Sequence, residues 1–194
     1  DLVFVTEVCE GLRERYETRM RDIAIICYHG SGHGFILAHT ETLPRRAWGD
    51  IVAFAEAPLL QCEKLSRADE NEKEDCRQGV FNVIVDWMED EEYGFRYDTE
   101  DPFGACDRLA TRWRHACYYE MAQKLGLLAT HDHRTYAAIA ERIDDEKLRR
   151  TVFEVAVAGI IQAVIADENG YRETLVQCED LDQYFFGLCV TSMV

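Results

Sequence analysis

The sequence predicts an all-α protein built as an array of about five disulfide-stapled helix pairs within one domain, residues 1–194. Three observations predict it. The motif Cys-acid-x-Leu occurs four times, and each copy is followed by one further cysteine. Apolar residues after those second cysteines recur at helical rather than alternating spacing. Only three prolines interrupt the chain, and no Asn-Gly or Asp-Gly hairpin signal stands between alternating segments.

The units fall near residues 9–39, 62–88, 106–126, 140–166 and 178–194. Copy one opens at Cys9-Glu10-Gly11-Leu12 and reaches its second cysteine at Cys27, across the charged stretch RERYETRMRD, which reads as a longer first helix. Copy two runs from Cys62-Glu63-Lys64-Leu65 to Cys76, with Val80, Val83, Ile84 and Trp87 on one helical face. The acidic run Asp69–Asp75 between its cysteines reads as a solvated connection. Copy three, Cys106-Asp107-Arg108-Leu109 to Cys117, continues with Tyr118, Met121, Ala122 and Leu125.

Copy four is degenerate. Ala140-Glu141-Arg142-Ile143 replaces the motif, and Thr151 stands eleven positions after Ala140, where a cysteine would fall. Its following segment, Val152 to Ala166, is the most apolar in the chain and reads as a buried helix, too short for a membrane span. Copy five runs from Cys178-Glu179-Asp180-Leu181 to Cys189. Pro58 and Pro102 stand just before copies two and three, and Gly94, Gly104, Gly126 and Gly170 fall between units, so turns are expected there.

Joint loss of both cysteines in copy four is what pairing within a unit predicts. The expected bridges are therefore Cys9–Cys27, Cys62–Cys76, Cys106–Cys117 and Cys178–Cys189. Four bridges place the chain in an oxidising, extracytoplasmic space, periplasmic or secreted. The chain begins with Asp, so a signal sequence is expected to lie outside it. The net charge of −16 disfavours nucleic acid and anionic lipid as partners and favours a basic protein.

Candidate chemistry is sparse. No P-loop, GxSxG, GxGxxG or HExxH is present, which points away from an enzyme. His29 and His33 are spaced i, i+4 in Cys27-Tyr-His-Gly-Ser-Gly-His-Gly34, a spacing at which two imidazoles can share a transition metal. Ser31, His39, His115, His131 and His133 are the candidate further ligands. Gly30 and Gly34, also i, i+4, read as the ridge of a close helix crossing. His131-Asp132-His133 reads as a polar loop that can also chelate. Eight acids between Asp86 and Asp101 form a cluster with Trp87, Glu91, Glu92 and Tyr93. That cluster is a candidate partner surface and, as an alternative, a calcium-dependent adhesion site.

In the stretches Cys27–Gly34, Cys76–Phe81 and Ala116–Tyr119 (C-Y-x-G-x-G-H-G, C-x-x-G-V-F and A-C-Y-Y) the chain resembles a group of uncharacterised secreted bacterial proteins with cysteine-paired helical units. It is similar to Sel1-type helix-pair repeats in layout alone. The resemblance implies the fold and export, and no activity. The reading that follows is a non-enzymatic binding or scaffolding module for a protein partner, a subunit of a larger assembly or an oligomer. The alternative is a metal- or cofactor-binding protein centred on His29 and His33.

Overall fold

A computed structural model describes residues 2–16, 21–128, 132–164 and 168–192. Among them are ten α-helices and no strand: α1 (Leu2–Tyr16), α2 (Arg21–Thr40), α3 (Ile51–Glu63), α4 (Glu70–Glu89), α5 (Gly104–Asp107), α6 (Thr111–Leu128), α7 (His133–Glu141), α8 (Glu146–Val164), α9 (Glu168–Cys178) and α10 (Gln183–Ser192). They form five consecutive pairs, one per copy of the motif. The four bridges join the cysteines that the repeat couples, with Cα atoms 5.6–5.8 Å apart, and no cysteine is free. Each bridge closes a short loop and stabilises its pair by about 3 kcal/mol on a chain-entropy model.

Backbone geometry explains the motif. Cys9 of copy one lies inside α1, whereas in copies two, three and five the cysteine stands at the end of the first helix, and the leucine three positions on donates its N–H back to the cysteine carbonyl. This bond is 3.2 Å for Leu65 to Cys62, 3.0 Å for Leu109 to Cys106 and 3.1 Å for Leu181 to Cys178. Leu65 and Leu109 are buried, so the same residue that tightens the turn plugs the connection. An aspartate caps several of the helices that follow. Asp69 and Glu72 form a reciprocal capping box at the start of α4, and Asp182 Oδ1 accepts from the N–H groups of Tyr184 and Phe185 at the start of α10.

Copy four keeps this turn without the sulfur: Ile143 donates to the Ala140 carbonyl at 2.9 Å. Its second position needs a correction. Arg114 Nε of copy three donates to the carbonyl of Leu109, and Arg149 Nε of copy four donates to the carbonyl of the equivalent Ile143. Counting three residues on from each arginine matches Cys117 with Val152, not Thr151. Val152 is buried and Thr151 is half-buried, so the connection in copy four is one residue longer than eleven-residue spacing supposes. Burial replaces the bridge: Ala140, Val152, Phe153, Ala156, Val157 and Ile160 are all within 1% of fully inaccessible.

The turns at three positions are not where the sequence placed them. Pro58 lies inside α3 and is buried. Burial of Phe54, Ala55, Leu59 and Cys62 along the same helix outweighs the one backbone bond that proline removes. Gly126 and Gly170 lie inside α6 and α9. The Asp69–Asp75 run is the cap and first turns of α4, not a free connection.

The chain divides into two compact units, residues 1–117 and 118–194, with the boundary inside α6. Copy three thus gives its bridge to the first unit and most of its long helix to the second. In the first unit α2 packs on α1, α3 and α4, burying Tyr28, Ile36, Phe54, Leu59, Phe81 and Ile84. In the second, α8 packs on α7, α9 and α10. Phe153 meets Phe185 at 4.7 Å between ring centroids, and the buried Tyr136 hydroxyl donates to the Leu125 carbonyl at 2.9 Å.

Candidate functional site

Helix α2 combines two faces of different character. Tyr28, Gly32 and Ile36, four residues apart, form its buried face. Gly32 is where the helix crosses α4: a side chain there would collide with the Cys76 carbonyl, and one at Gly79 of α4 would collide with the His29 carbonyl. The close crossing therefore uses Gly32 and Gly79. Gly30 and Gly34, expected to form it, face open space with no atom within 4 Å of an added Cβ.

Opposite the buried face runs an exposed stripe of Ile26, Gly30 and Leu37, with Gly34 beside it; Ile26 is 68% and Leu37 52% exposed. Val3, Phe4 and Val8 of α1 are exposed as well. The 18 residues from Ile23 to Thr40 contain no Asp, Glu, Lys or Arg, in a chain whose composition is 30% charged. An exposed helical face with no charge over five turns is unusual for a surface left to water. Beside its far end, Phe35, Ala38, His39, Thr42, Ala57 and Gln61 line an open groove of about 480 Å³.

His29 and His33 do meet on α2, with ring centroids 4.9 Å apart. Burial holds both below the ordinary histidine range; the neighbouring imidazole lowers His29 further, while Asp86 and a hydrogen bond with Asn82 partly offset the effect at His33. Both rings are therefore neutral near pH 7 and able to ligate, and the buried His33 Nε2 has no hydrogen-bond partner. No further His, Cys, Asp or Glu among the described residues completes a three-donor cluster with them. His39 sits against the Ala53 carbonyl at 3.2 Å, and His115 Nδ1 against Glu74 at 2.6 Å. Ser31 donates to the Cys27 carbonyl, and His131 lies outside the described residues.

The 86–101 acids do not converge either. Glu91 and Glu92 are exposed, and Asp98 turns inward on its own loop to accept from the N–H groups of Glu100 and Asp101. Trp87 is 7% exposed and packs against Tyr93 at 4.6 Å and Phe54 at 5.7 Å. Of the four residues expected at a partner surface, Trp87 is thus buried under a tight turn, Tyr93 is half-buried beside it, and Glu91 and Glu92 are exposed. Glu91 and Tyr93 take left-handed backbone angles there, and Gly49 donates to the Tyr93 carbonyl at 2.9 Å.

Sequence reasoning missed the strongest electrostatic feature, an ion-pair hub on α4. Arg77, 7% exposed, bonds Glu63 through two nitrogens at 2.9 and 3.1 Å and Glu74 at 2.9 Å. Trp113 Nε1 donates to Glu63 at 3.1 Å, and Arg13 pairs with Glu72 at 2.8 Å. Burial pushes Glu63 and Glu74 up, but hydrogen bonds from Arg77, with Trp113 for Glu63 and His115 for Glu74, bring both below the usual carboxylate range. The acid of Cys-acid-x-Leu in copy two is a member of this hub, a signal that was present in the motif. The arrangement binds helices to one another and offers no reacting centre.

The expected polar loop is corrected at Asp132 and His133, the two of its residues that are described. Asp132 caps α7, accepting from the Arg134 N–H at 3.1 Å, and His133 is fully buried. Comparison of the chain with family models, with curated proteins and with solved structures finds no match. Among the described residues no helix is long and apolar enough to cross a membrane. Four disulfides with no free cysteine fit an oxidising, extracytoplasmic environment.

Proposed function

We propose that this protein is a non-enzymatic, exported binding module that docks a protein partner on the exposed face of α2. The observation that supports this reading is the uncharged Ile26–Gly30–Leu37 stripe. Glycine at its centre lets a partner helix or strand approach the backbone, and the flanking aliphatics supply apolar area to bury. The acidic remainder of the surface favours a partner with a basic rim and repels nucleic acid. Rigid helix pairs suit a scaffold, and export to the periplasm or beyond accords with the bridges.

The test is co-purification from the native source with wild type and with Ile26→Glu/Leu37→Glu, both changes at exposed positions that leave the fold intact. Loss of a stoichiometric partner from the double variant is the expected result. Equal recovery of that partner by both proteins overturns the proposal.

A second reading has an observation of its own, the unpartnered Nε2 of His33 beside His29. It makes α2 a two-histidine metal or cofactor site whose remaining ligands come from the partner. Bound metal in elemental analysis, lost in His29→Ala/His33→Ala, supports it; a metal-free wild type in complex with its partner excludes it.

A further inference from the structure

One cluster of donor atoms lies outside everything described above. His133, Cys178 and Cys189 place one ring nitrogen and two sulfurs within 4.8 Å of one another, and all three residues are fully buried. Among the described residues it is the one such three-donor cluster of His, Cys, Asp and Glu, and no other bridge has a histidine in this relation to it. His133 is placed by the Asp132 cap, which starts α7 with the imidazole inside.

The imidazole has no well-formed hydrogen bond at either nitrogen. Gln177 is the polar group beside it, a hydrogen-bonding neighbour that partly offsets the effect of burial on the ring, and Gln177 Oε1 is likewise buried without a well-formed bond. A fully buried ring with no hydrogen bond of good geometry at either nitrogen calls for an explanation. Burial also favours the neutral ring, the form that ligates metals.

We propose that His133, Cys178 and Cys189 form a redox-gated transition-metal site: a disulfide when oxidised, and a Cys2His site for zinc or a similar ion when reduced. Tetrahedral zinc holds thiolates at about 2.3 Å and imidazole nitrogen at about 2.0 Å, which sets the two sulfurs roughly 3.8 Å apart. Opening the bridge to that separation moves α9 against α10 while the three donors remain neighbours. Gln177 Oε1 or a water takes the fourth position.

Gating requires a dithiol reductant. One of its thiolates attacks a bridge sulfur, the S–S bond breaks, and the other cysteine leaves as thiolate. The second thiol of the reductant then displaces the mixed disulfide, so that two electrons pass to the bridge and the reductant leaves as a cyclic disulfide. Metal binding expels the remaining thiol protons to solvent. Because the bridge is fully buried, attack proceeds through local opening of the α9–α10 pair, and metal closes it again. The same site is available to the newly exported chain before the bridge has formed.

The experiment treats the purified full chain anaerobically with a small dithiol, with and without one equivalent of cobalt(II) or zinc(II). Free thiols are then alkylated and mapped by mass spectrometry. The expected result is one metal per chain, a thiolate-to-cobalt charge-transfer band, and at least tenfold slower alkylation of Cys178 and Cys189 than of the other opened cysteines. His133→Ala abolishes all three signals, and His133→Leu, which refills the space, does the same if the alanine variant folds poorly when oxidised. Protection of every cysteine alike, no protection at Cys178 and Cys189, or protection unchanged in both His133 variants would each overturn the proposal. In the last case His133 is only a packed core residue.

Discussion

Gly79 of α4 and His29 of α2 are packed backbone to backbone: a methyl group on Gly79 would overlap the His29 carbonyl oxygen. The same helix α2 presents two other glycines, Gly30 and Gly34, to open space. Gly32, two residues from each of them, packs against the Cys76 carbonyl, so neighbouring glycines of one stretch have opposite meanings, and substitution separates crossing glycines from exposed ones.

Gly79→Ala is expected to destabilise the protein by about 3 kcal/mol, because neither backbone can give way without opening the crossing. Gly30→Ala and Gly34→Ala are each expected to stabilise by about 0.5–1 kcal/mol, from reduced freedom of the unfolded chain. Urea denaturation of the three oxidised variants checks the order. A Gly30 variant less stable than wild type would show that the stripe is covered within the protein.

The equivalence of Val152 with Cys117 predicts where a fifth bridge belongs. Ala140→Cys with Val152→Cys is expected to form a disulfide spontaneously on oxidative refolding and to add about 3 kcal/mol. Ala140→Cys with Thr151→Cys is expected to leave two thiols titratable. Peptide mapping without reduction decides between them, and the same map recovers Cys106 joined to Cys117.

Arg77 holds the hub together, so Arg77→Met is expected to cost about 3 kcal/mol by leaving Glu63 and Glu74 without their partner in a half-buried setting. The pH dependence has a definite sign. Glu63 and Glu74 are held below the usual carboxylate range, so their contribution is present above the unfolded pKa of 4.5 and is lost as pH falls through the lowered values. Thermal melts at pH 7 and pH 3 should differ more for wild type than for Arg77→Met.

Asp75 works in the opposite direction. Burial, with Glu74, Glu72 and Asp69 nearby, pushes its carboxyl up from 3.8 to about 6. A raised carboxyl favours the folded state below pH 3.8 and loses that advantage as pH rises through about 6. Asp75→Asn is therefore expected to stabilise at pH 7 by about 1 kcal/mol, allowing for solvent screening of a half-exposed group, and to be neutral at pH 3.5. Denaturant midpoints at the two pH values test this.

Most of the fold was legible in the cysteines and the helical spacing. Both report local events: a turn closed by a leucine N–H, a bridge across that turn, and a helix whose buried face repeats every three to four residues. What was not legible depended on tertiary distance. Gly30 and Gly32 are indistinguishable until the rotation of α2 about its axis is known. Asp69–Asp75 reads as a solvated run because two of its partners, Arg13 and His115, come from other stretches of chain, and the third, Arg77, is drawn inward by Glu63. His133 reads as exposed because its neighbours in sequence are polar, whereas the Asp132 cap turns it inward. The register of copy four slipped by one because thiols mark a position and apolar residues do not.

The bridges share one further property. Each joins a cysteine to the next one along the chain, with separations of 18, 14, 11 and 11 residues. A chain emerging amino-terminus first into an oxidising space meets its cysteines in pairing order. Each bridge can close before the next pair has appeared, and the short loops favour these partners over more distant ones. The repeat thus encodes an order of assembly that runs from the amino terminus onward.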